Sequence, residues 1–434
     1  MIRAARIFVP TSSIRLAFMD ALVMSAVFFL LVRFTVFMDP SLFFREEHGA
    51  IRLMPVIAIM LLAMYFSGLY ERKRIESRIF LLQQLGFAAG VSLIFQALVS
   101  YVDDRWMLPR NLAFYGLLSS LLALFGWRLL RDAMLSRLEG TGTVIILGTD
   151  ETGHRVARHI ASHPSLHLKV AGSVTNRPEH AVLPVLGDIS DLREVVRRVR
   201  PDMIISGMAD ARDRMPVSEM VDLRYAGTRI EEAGAACELI CRQVSARDLR
   251  PSRMLFTRDF DARDVSLAVF LVDTVSAALL LITGAPFALA YALLLWFSGK
   301  KPVIREEVCV GFKGVPFMSC RFRAEDSGAA AWLARGFHLD DWPQLWNVLR
   351  GRMSMVGPRP RRLGIARELS LVLPVHEYRQ NTKPGITGWA QINLKRGPEA
   401  TDAIAEVEYD LYYIRNQSFS LYTYILLHGL RASL

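Results

Sequence analysis

SLAVFLVDTVSAALLLITGAPFALAYALLLWFS (residues 266–298) is an almost unbroken apolar run with one charge, Asp273, and Gly284-Ala285-Pro286 near its middle. A straight helix of this length, rising about 1.5 Å per residue, overshoots the roughly 30 Å hydrocarbon core of a bilayer. Proline removes an amide donor and crowds the preceding turn, so the sequence predicts a sharp kink at Pro286. Two folds are then open. Either the helix bends and returns to the side it entered from, as a re-entrant membrane helix, or it crosses as a further span. The choice decides on which side of the membrane everything after residue 298 lies.

The residues upstream favour re-entry. Four apolar stretches open the chain, at about 16–38, 53–70, 79–101 and 112–127, and each approaches the ~20 residues a span needs. Arg3, Arg6 and Arg15 precede the first; Arg72, Lys73, Arg74 and Arg78 join the second to the third; Arg128, Arg131 and Arg137 follow the fourth. The positive-inside rule puts these three segments in the cytoplasm. A re-entrant helix keeps the polar C-terminal part on that same face. Asp20 and Arg33 are unusual inside a span; Arg33 can snorkel, and Asp20 is expected close enough to an end to be wet. The first stretch lacks the small-residue cleavage pattern of a signal peptide and reads as a retained anchor. A hydrophobic content of 52% and a mean hydropathy of +0.27 agree with a membrane protein. The net charge of +10 falls largely beside the apolar runs, where anionic membrane lipid is the natural partner and nucleic acid is not. Four cysteines without zinc-type spacing, two of them Cys237 and Cys241 on one helical face, read as reduced thiols.

From about residue 141 the pattern becomes α/β. VIILG (144–148), a second strand near 170–174, a helix over about 190–199 and a third strand at 203–206 alternate as in a parallel sheet with crossover helices. The turn GTDETG (148–153) has the outer glycines of a dinucleotide fingerprint but Asp150 in the middle position. A carboxylate there blocks and repels a pyrophosphate, so the module is expected to be structural or regulatory rather than nucleotide-dependent.

After Lys300-Lys301 the chain turns rich in Arg, Pro, Gly and Trp, and FHLDDWPQLWN (337–347) carries adjacent carboxylates, Asp340 and Asp341. Read locally, Asp-Asp before Trp-Pro is a helix start with an Asp cap at least as readily as a catalytic pair. Trp342, Trp346 and Trp389 suit interfacial anchoring as well as ligand stacking.

Three segments resolve much of this: FHLDDWPQLWNVLRGRMSMVGPRP (337–360), KPGITGWAQIN (383–393) and YDLYYIRNQS (409–418). In that order and spacing they resemble the bacterial polyprenyl-phosphate sugar-1-phosphate transferases that initiate exopolysaccharide and O-antigen synthesis, in their large, multi-domain form. The resemblance implies transfer of a hexose 1-phosphate from a UDP-sugar to undecaprenyl phosphate, with UMP released, Mg²⁺ as cofactor and a covalent phospho-sugar intermediate. It makes Asp340 the nucleophile and gives Asp341 the place of the family's Glu, the two together holding the metal. Arg321 and Arg323, in RFR, match the family's KFR and are candidate phosphate contacts, as is Arg359, held between prolines, while Lys383 before Pro384-Gly385 fits a phosphate or sugar contact on a rigid turn. Trp389 and Gln391 are candidates for stacking on and hydrogen bonding to uracil or sugar. This agrees with the chemistry, because a carboxylate attacks an anionic phosphoryl centre only when cations screen it, and a fixed guanidinium contacts phosphate oxygens bidentately.

Three departures stand out. Asp341 is one methylene shorter than Glu, the stretch between Arg323 and Phe337 is shorter than the family's, and Arg361 stands where a Glu is common. They open an alternative, a catalytically degenerate scaffold of a polysaccharide assembly complex. The expected architecture is α plus α/β: a four-helix transmembrane region (1–138), a Rossmann-like α/β domain (139–260), then a re-entrant helix leading into a mostly helical cytosolic catalytic domain (261–434). The setting is the bacterial cytoplasmic (inner) membrane, and large members of the family are expected as homodimers.

Overall fold

The stretches read as spans are helices in a computed structural model of the chain. The structure describes residues 2–4, 7–9, 11–34, 43–44, 49–67, 69–70, 78–102, 108–139, 141–208, 215–249, 260, 266–297, 302–323, 339–394 and 400–432. Met1–Gly140 and Thr141–Leu434 form two compact units.

In the first unit a short antiparallel hairpin, β1 (Ile2–Ala4) and β2 (Ile7–Val9), precedes α1 (Thr11–Phe34), α2 (Gly49–Phe66), α3 (Arg78–Val102) and α4 (Arg110–Glu139). Met24, Phe28 and Val32, four residues apart on α1, turn one stripe inward to meet Val56, Met60, Leu85, Ala88, Leu117 and Leu124. Phe18, Phe29, Leu98 and Leu122 remain exposed, as expected of side chains that face lipid. Among the described residues, four helices are long and apolar enough to cross a membrane: Ile14–Phe34, Arg78–Val99, Arg110–Met134 and Leu267–Phe297. The second N-terminal stretch gives the shorter Ile51–Tyr65. Asp20 is not wet. It is fully buried and ion-paired with Arg128 of α4 at 2.5 Å, while Arg128 also donates to the Leu69 carbonyl at 2.9 Å. A carboxylate among apolar helices keeps its charge only beside such a partner. The basic residues 72–74 lie outside the described residues.

The second unit opens with the α/β module. Its strands are β3 (Gly142–Leu147), β4 (Leu168–Val174), β5 (Val185–Gly187), β6 (Met203–Ser206) and β7 (Arg229–Glu232), all parallel in the order β5-β4-β3-β6-β7. The helices are α5 (Glu151–Ser162), α6 (Leu192–Val199), α7 (Val217–Tyr225) and α8 (Ala233–Cys241). The centre strand is apolar and buried at every step from Val144 to Leu147 because both faces are covered. Val144 and Ile146 meet Val156, Ile160 and Cys237, while Ile145 and Leu147 meet Leu192, Val195 and Met220.

Next comes α9 (Leu267–Phe297), whose helical assignment runs unbroken through Pro286. The region expected to be mostly helical also holds two small sheets. One is the antiparallel hairpin of β8 (Ile304–Val310) and β9 (Pro316–Phe322), where PFMS at the start of β9 alternates outward and inward residues. The other pairs β10 (Ser354–Val356) with β11 (Gly385–Thr387) in parallel. Around them lie α10 (Leu345–Leu349), α11 (Leu363–Val372), α12 (Trp389–Asn393), α13 (Ala400–Arg415) and α14 (Phe419–Ala432). Phe317, Leu345, Met353, Met355, Trp389, Leu411 and Ile425 share one core. Asp273, the lone charge of α9, is buried in it. Its Oδ1 accepts from the Ser354 hydroxyl at 3.0 Å, the Met355 amide at 2.7 Å and the Tyr422 hydroxyl, so a single carboxylate ties α9 to β10 and α14.

Candidate active site

Asp340 and Asp341 sit in a 3-10 turn, Leu339–Gln344, that runs through Pro343 into α10. The turn is fastened to α9 by Trp342. Its indole N–H donates to the Leu280 carbonyl at 3.4 Å, and a Cβ on Gly284 would lie 2.7 Å from that nitrogen. Only a glycine allows this approach. Trp342 also stacks on Phe322 of β9, with ring centroids 6.5 Å apart, and Phe322 meets Tyr291 edge to face.

The two carboxylates are unequal. Asp341 Oδ1 receives Arg321 Nε at 3.1 Å and Gln344 Nε2 at 2.6 Å, so its orientation is fixed. Among the described residues Asp340, half-buried, has no hydrogen-bond or ion-pair partner. No side chain caps α10, so the expected capping role of the pair is not what starts that helix. Arg323, just past the end of β9, is exposed beside this turn's strand, and its carbonyl accepts from the Tyr291 hydroxyl at 3.5 Å. The shortened stretch 324–336 lies outside the described residues.

The glycines of GPRP and KPGITG interlock. A Cβ on Gly385 would run into the Gly357 backbone, and one on Gly357 into the Lys383 carbonyl, so the two loops pack main chain on main chain. Lys383 extends toward Gly351, with Nζ 3.8 Å from where a Cβ on that residue would stand. The Arg359 side chain is exposed, but its backbone is pinned. Buried Arg379 donates through Nη2 to the Arg359 carbonyl at 3.2 Å and to Glu406 at 3.0 Å, and pairs with Asp410 at 2.7 Å. Arg361, the third departure, pairs with the same Glu406, so the charge is absorbed locally. His376 Nε2 lies 3.1 Å from Arg379 Nη1. Burial, reinforced by Arg379 and Arg361, pushes the His376 imidazole down to about 4, which leaves it neutral at physiological pH. Burial pushes the Asp410 carboxyl up to about 7 against the pull of Arg379. Arg359, Arg361, His376, Arg379 and Thr382 line a groove of about 340 Å³, counted out to open solvent.

The loops that carry the predicted residues are anchored at two points along α9. Trp342 rests on Gly284 and Ser354 on Asp273, 11 residues apart on α9, which corresponds to about 16 Å along the helix. Asp340 and Asp341 follow the Gly284 anchor and the GPRP loop continues from β10 at the other, while Arg321, beside Asp341, also acts on Glu307, which pairs with Arg362 just past that loop. Trp389 belongs to neither anchor. It is 3% exposed, its ring is packed by Tyr412, Tyr424 and the Arg242 guanidinium, and its N–H donates to the Arg242 carbonyl at 3.1 Å. Its faces are therefore not open to a base, whereas Gln391, two residues on and turned to the other side of the helix, is exposed. Glu406, Asp410, Arg379 and His376 carried no site signal in the sequence beyond the motif YDLYYIRNQS around Asp410.

Residues 266–434 match the family described as bacterial sugar transferase, and residues 65–215 match a CoA-binding domain. The UDP-glucose:undecaprenyl-phosphate glucose-1-phosphate transferase of Xanthomonas campestris pv. campestris is 25% identical over 382 residues, 77% of this chain and 76% of that protein. An enzyme of the same name from Caulobacter vibrioides is 32% identical over 194 residues, 39% of this chain and 73% of that protein. The UDP-N-acetylgalactosamine-undecaprenyl-phosphate N-acetylgalactosaminephosphotransferase of Aeromonas hydrophila is 31% identical over 173 residues. That match spans 36% of this chain and 40% of the Aeromonas protein.

Proposed function

This chain belongs to the bacterial sugar transferase family, and we propose that it transfers a hexose 1-phosphate from a UDP-sugar to undecaprenyl phosphate through an aspartyl phospho-sugar intermediate. The observation that carries the assignment is the inequality of the carboxylates. Arg321 and Gln344 hold Asp341, while Asp340 is left without a partner among the described residues. A carboxylate oxygen of Asp340 attacks the phosphorus that bears the sugar. The bond from that phosphorus to the bridging oxygen breaks, and UMP leaves. A phosphate oxygen of the polyprenyl acceptor then attacks the same phosphorus and releases Asp340, forming the lipid-linked diphosphate sugar. Two displacements replace one encounter between two anions.

Arg321 neutralises charge at the reacting phosphate while it orients Asp341. Arg359 and Lys383, at the other end of the site, hold the remainder of the donor. Mg²⁺ is bound in proteins by one or two carboxylates together with substrate phosphates, so the adjacent Asp340 and Asp341 fit it. When bound it would screen the phosphate charge.

The same reading takes α9 as re-entrant: the turn carrying Asp340 is fastened beside Gly284, next to Pro286, and a re-entrant α9 would set this end of the site at the inner face of the membrane, where a lipid phosphate is presented. Trp346, 52% exposed with the Arg350 guanidinium 5.0 Å over its ring, suits the headgroup region. The test incubates membranes with Mg²⁺, undecaprenyl phosphate and UDP-glucose, UDP-galactose or their N-acetyl derivatives. UMP release with one of them, lost in Asp340→Asn, is expected; no release with any donor would favour the scaffold reading.

A further inference from the structure

The match to a CoA-binding domain raises a nucleotide ligand for the α/β module, and the residues at the β3–α5 turn do not fit one. The N-terminus of α5 is where a pyrophosphate would rest. The Asp150 carboxylate already accepts the Thr152 amide there at 3.2 Å, and the Asp150 amide donates to the Gly207 carbonyl at 3.2 Å, closing the crevice between β3 and β6. Thr152 is 1% exposed, with its hydroxyl 3.2 Å from that of Ser245. The chain's own segment 244–246 thus covers the site.

That segment leads to α13. Glu408, 2% exposed, accepts from Arg155 Nη1 of α5 at 2.5 Å and from the Ala246 amide at 3.0 Å, and its carbonyl accepts from the Val244 amide at 3.1 Å. Glu238 of α8 adds Arg415 at 2.7 Å and Asn416 at 3.0 Å. Glu406 and Asp410 are four apart and share one face of α13; Glu408, two residues along, is turned about 200° away. One face of the helix therefore holds Arg379 and, through it, the Arg359 backbone. The other is held by the α/β module.

We propose that Arg155 and Glu408 are positioning residues, through which the α/β module sets α13 and thereby the GPRP loop. The module acts as an internal docking element instead of a nucleotide sensor. The consequence for the donor rests on the assignment of Arg359 made above.

The test uses the full chain in detergent or nanodiscs, as wild type, Arg155→Met, Arg155→Lys, Glu408→Gln and the Arg155→Met/Glu408→Gln double variant. Hydrogen exchange is expected to quicken about tenfold over residues 356–362 and 376–382 in Arg155→Met and in Glu408→Gln, with β3 and β6 unchanged. The double variant should add little to either single change, and Arg155→Lys should recover most of the protection. The KM for the UDP-sugar should rise about tenfold with kcat nearly constant. Faster exchange at 244–246 with no change at 356–362 would overturn the proposal, and so would saturable binding of CoA or NAD to the full chain. If the wild type releases no UMP, the transferase reading fails, while the exchange data still decide this one.

Discussion

Replacing Asp273 by alanine tests whether one carboxylate joins the membrane helix to the site. Its Oδ1 is shared by the Ser354 hydroxyl, the Met355 amide and the Tyr422 hydroxyl, all buried. Each donor left without an acceptor costs about 1–3 kcal/mol, the fixed amide more surely than hydroxyls that can rotate. Relief from burying a carboxylate offsets part of the sum, so Asp273→Ala should cost roughly 3 kcal/mol. Asp273→Asn keeps an acceptor and loses the charge, for roughly 1–2 kcal/mol, and Ser354→Ala removes one donor, for about 1 kcal/mol. Unfolding in detergent, followed by tryptophan fluorescence, should rank the variants in that order, and the Met355 amide should exchange faster in Asp273→Ala. An Asp273→Ala protein as stable as wild type, with that amide still protected, would refute the reasoning.

Gly284→Leu should push the Trp342 indole off α9 and carry Asp340 with it, lowering UMP release by on the order of a hundredfold, with a changed tryptophan spectrum. Leu at the neighbouring Ala285 serves as the control. His376 gives a pH signature. Its folded-state value of about 4 lies below the unfolded 6.5, so its contribution is present above pH 6.5 and is lost as pH falls toward 4. The loss amounts to roughly 3 kcal/mol, and His376→Gln should flatten this limb in a series of unfolding midpoints against pH. Asp410, raised to about 7, has the opposite sign, losing its contribution as pH rises, so the comparison of variant with wild type isolates the histidine.

Much of the fold was legible where burial is total. The strand at 144–147 is an unbroken apolar run, those at 170–174 and 203–206 are mostly apolar, and the long apolar helices announce themselves by length. Long-range pairing was not legible. Asp20 reads as wet in the sequence because its partner Arg128 is 108 residues away, and the role of Asp273 depends on Ser354 and Tyr422, 81 and 149 residues on. Gly284 was read only as part of a kink, whereas its further use is the approach of Trp342. The motifs named Asp340, Asp341, Arg321 and Arg359 but not the two points on α9 to which their loops are anchored, since those depend on Gly284 and Asp273. Trp389 illustrates the ambiguity of aromatics. Nothing in WAQIN distinguishes a stacking platform from a core residue until Tyr412, Tyr424 and Arg242 close around the ring. Glu408 stands just before a recognised motif and is silent in sequence, because its partners come from another part of the chain.

A nucleophilic Asp340 becomes covalently attached to the sugar phosphate, and the intact mass of the full-length protein after incubation with Mg²⁺ and its UDP-sugar, without acceptor lipid, reads this directly. An added hexose phosphate is expected that maps to Asp340, disappears on adding undecaprenyl phosphate and never forms in Asp340→Asn. An adduct that persists in Asp340→Asn, or full UMP release by that variant, would contradict it.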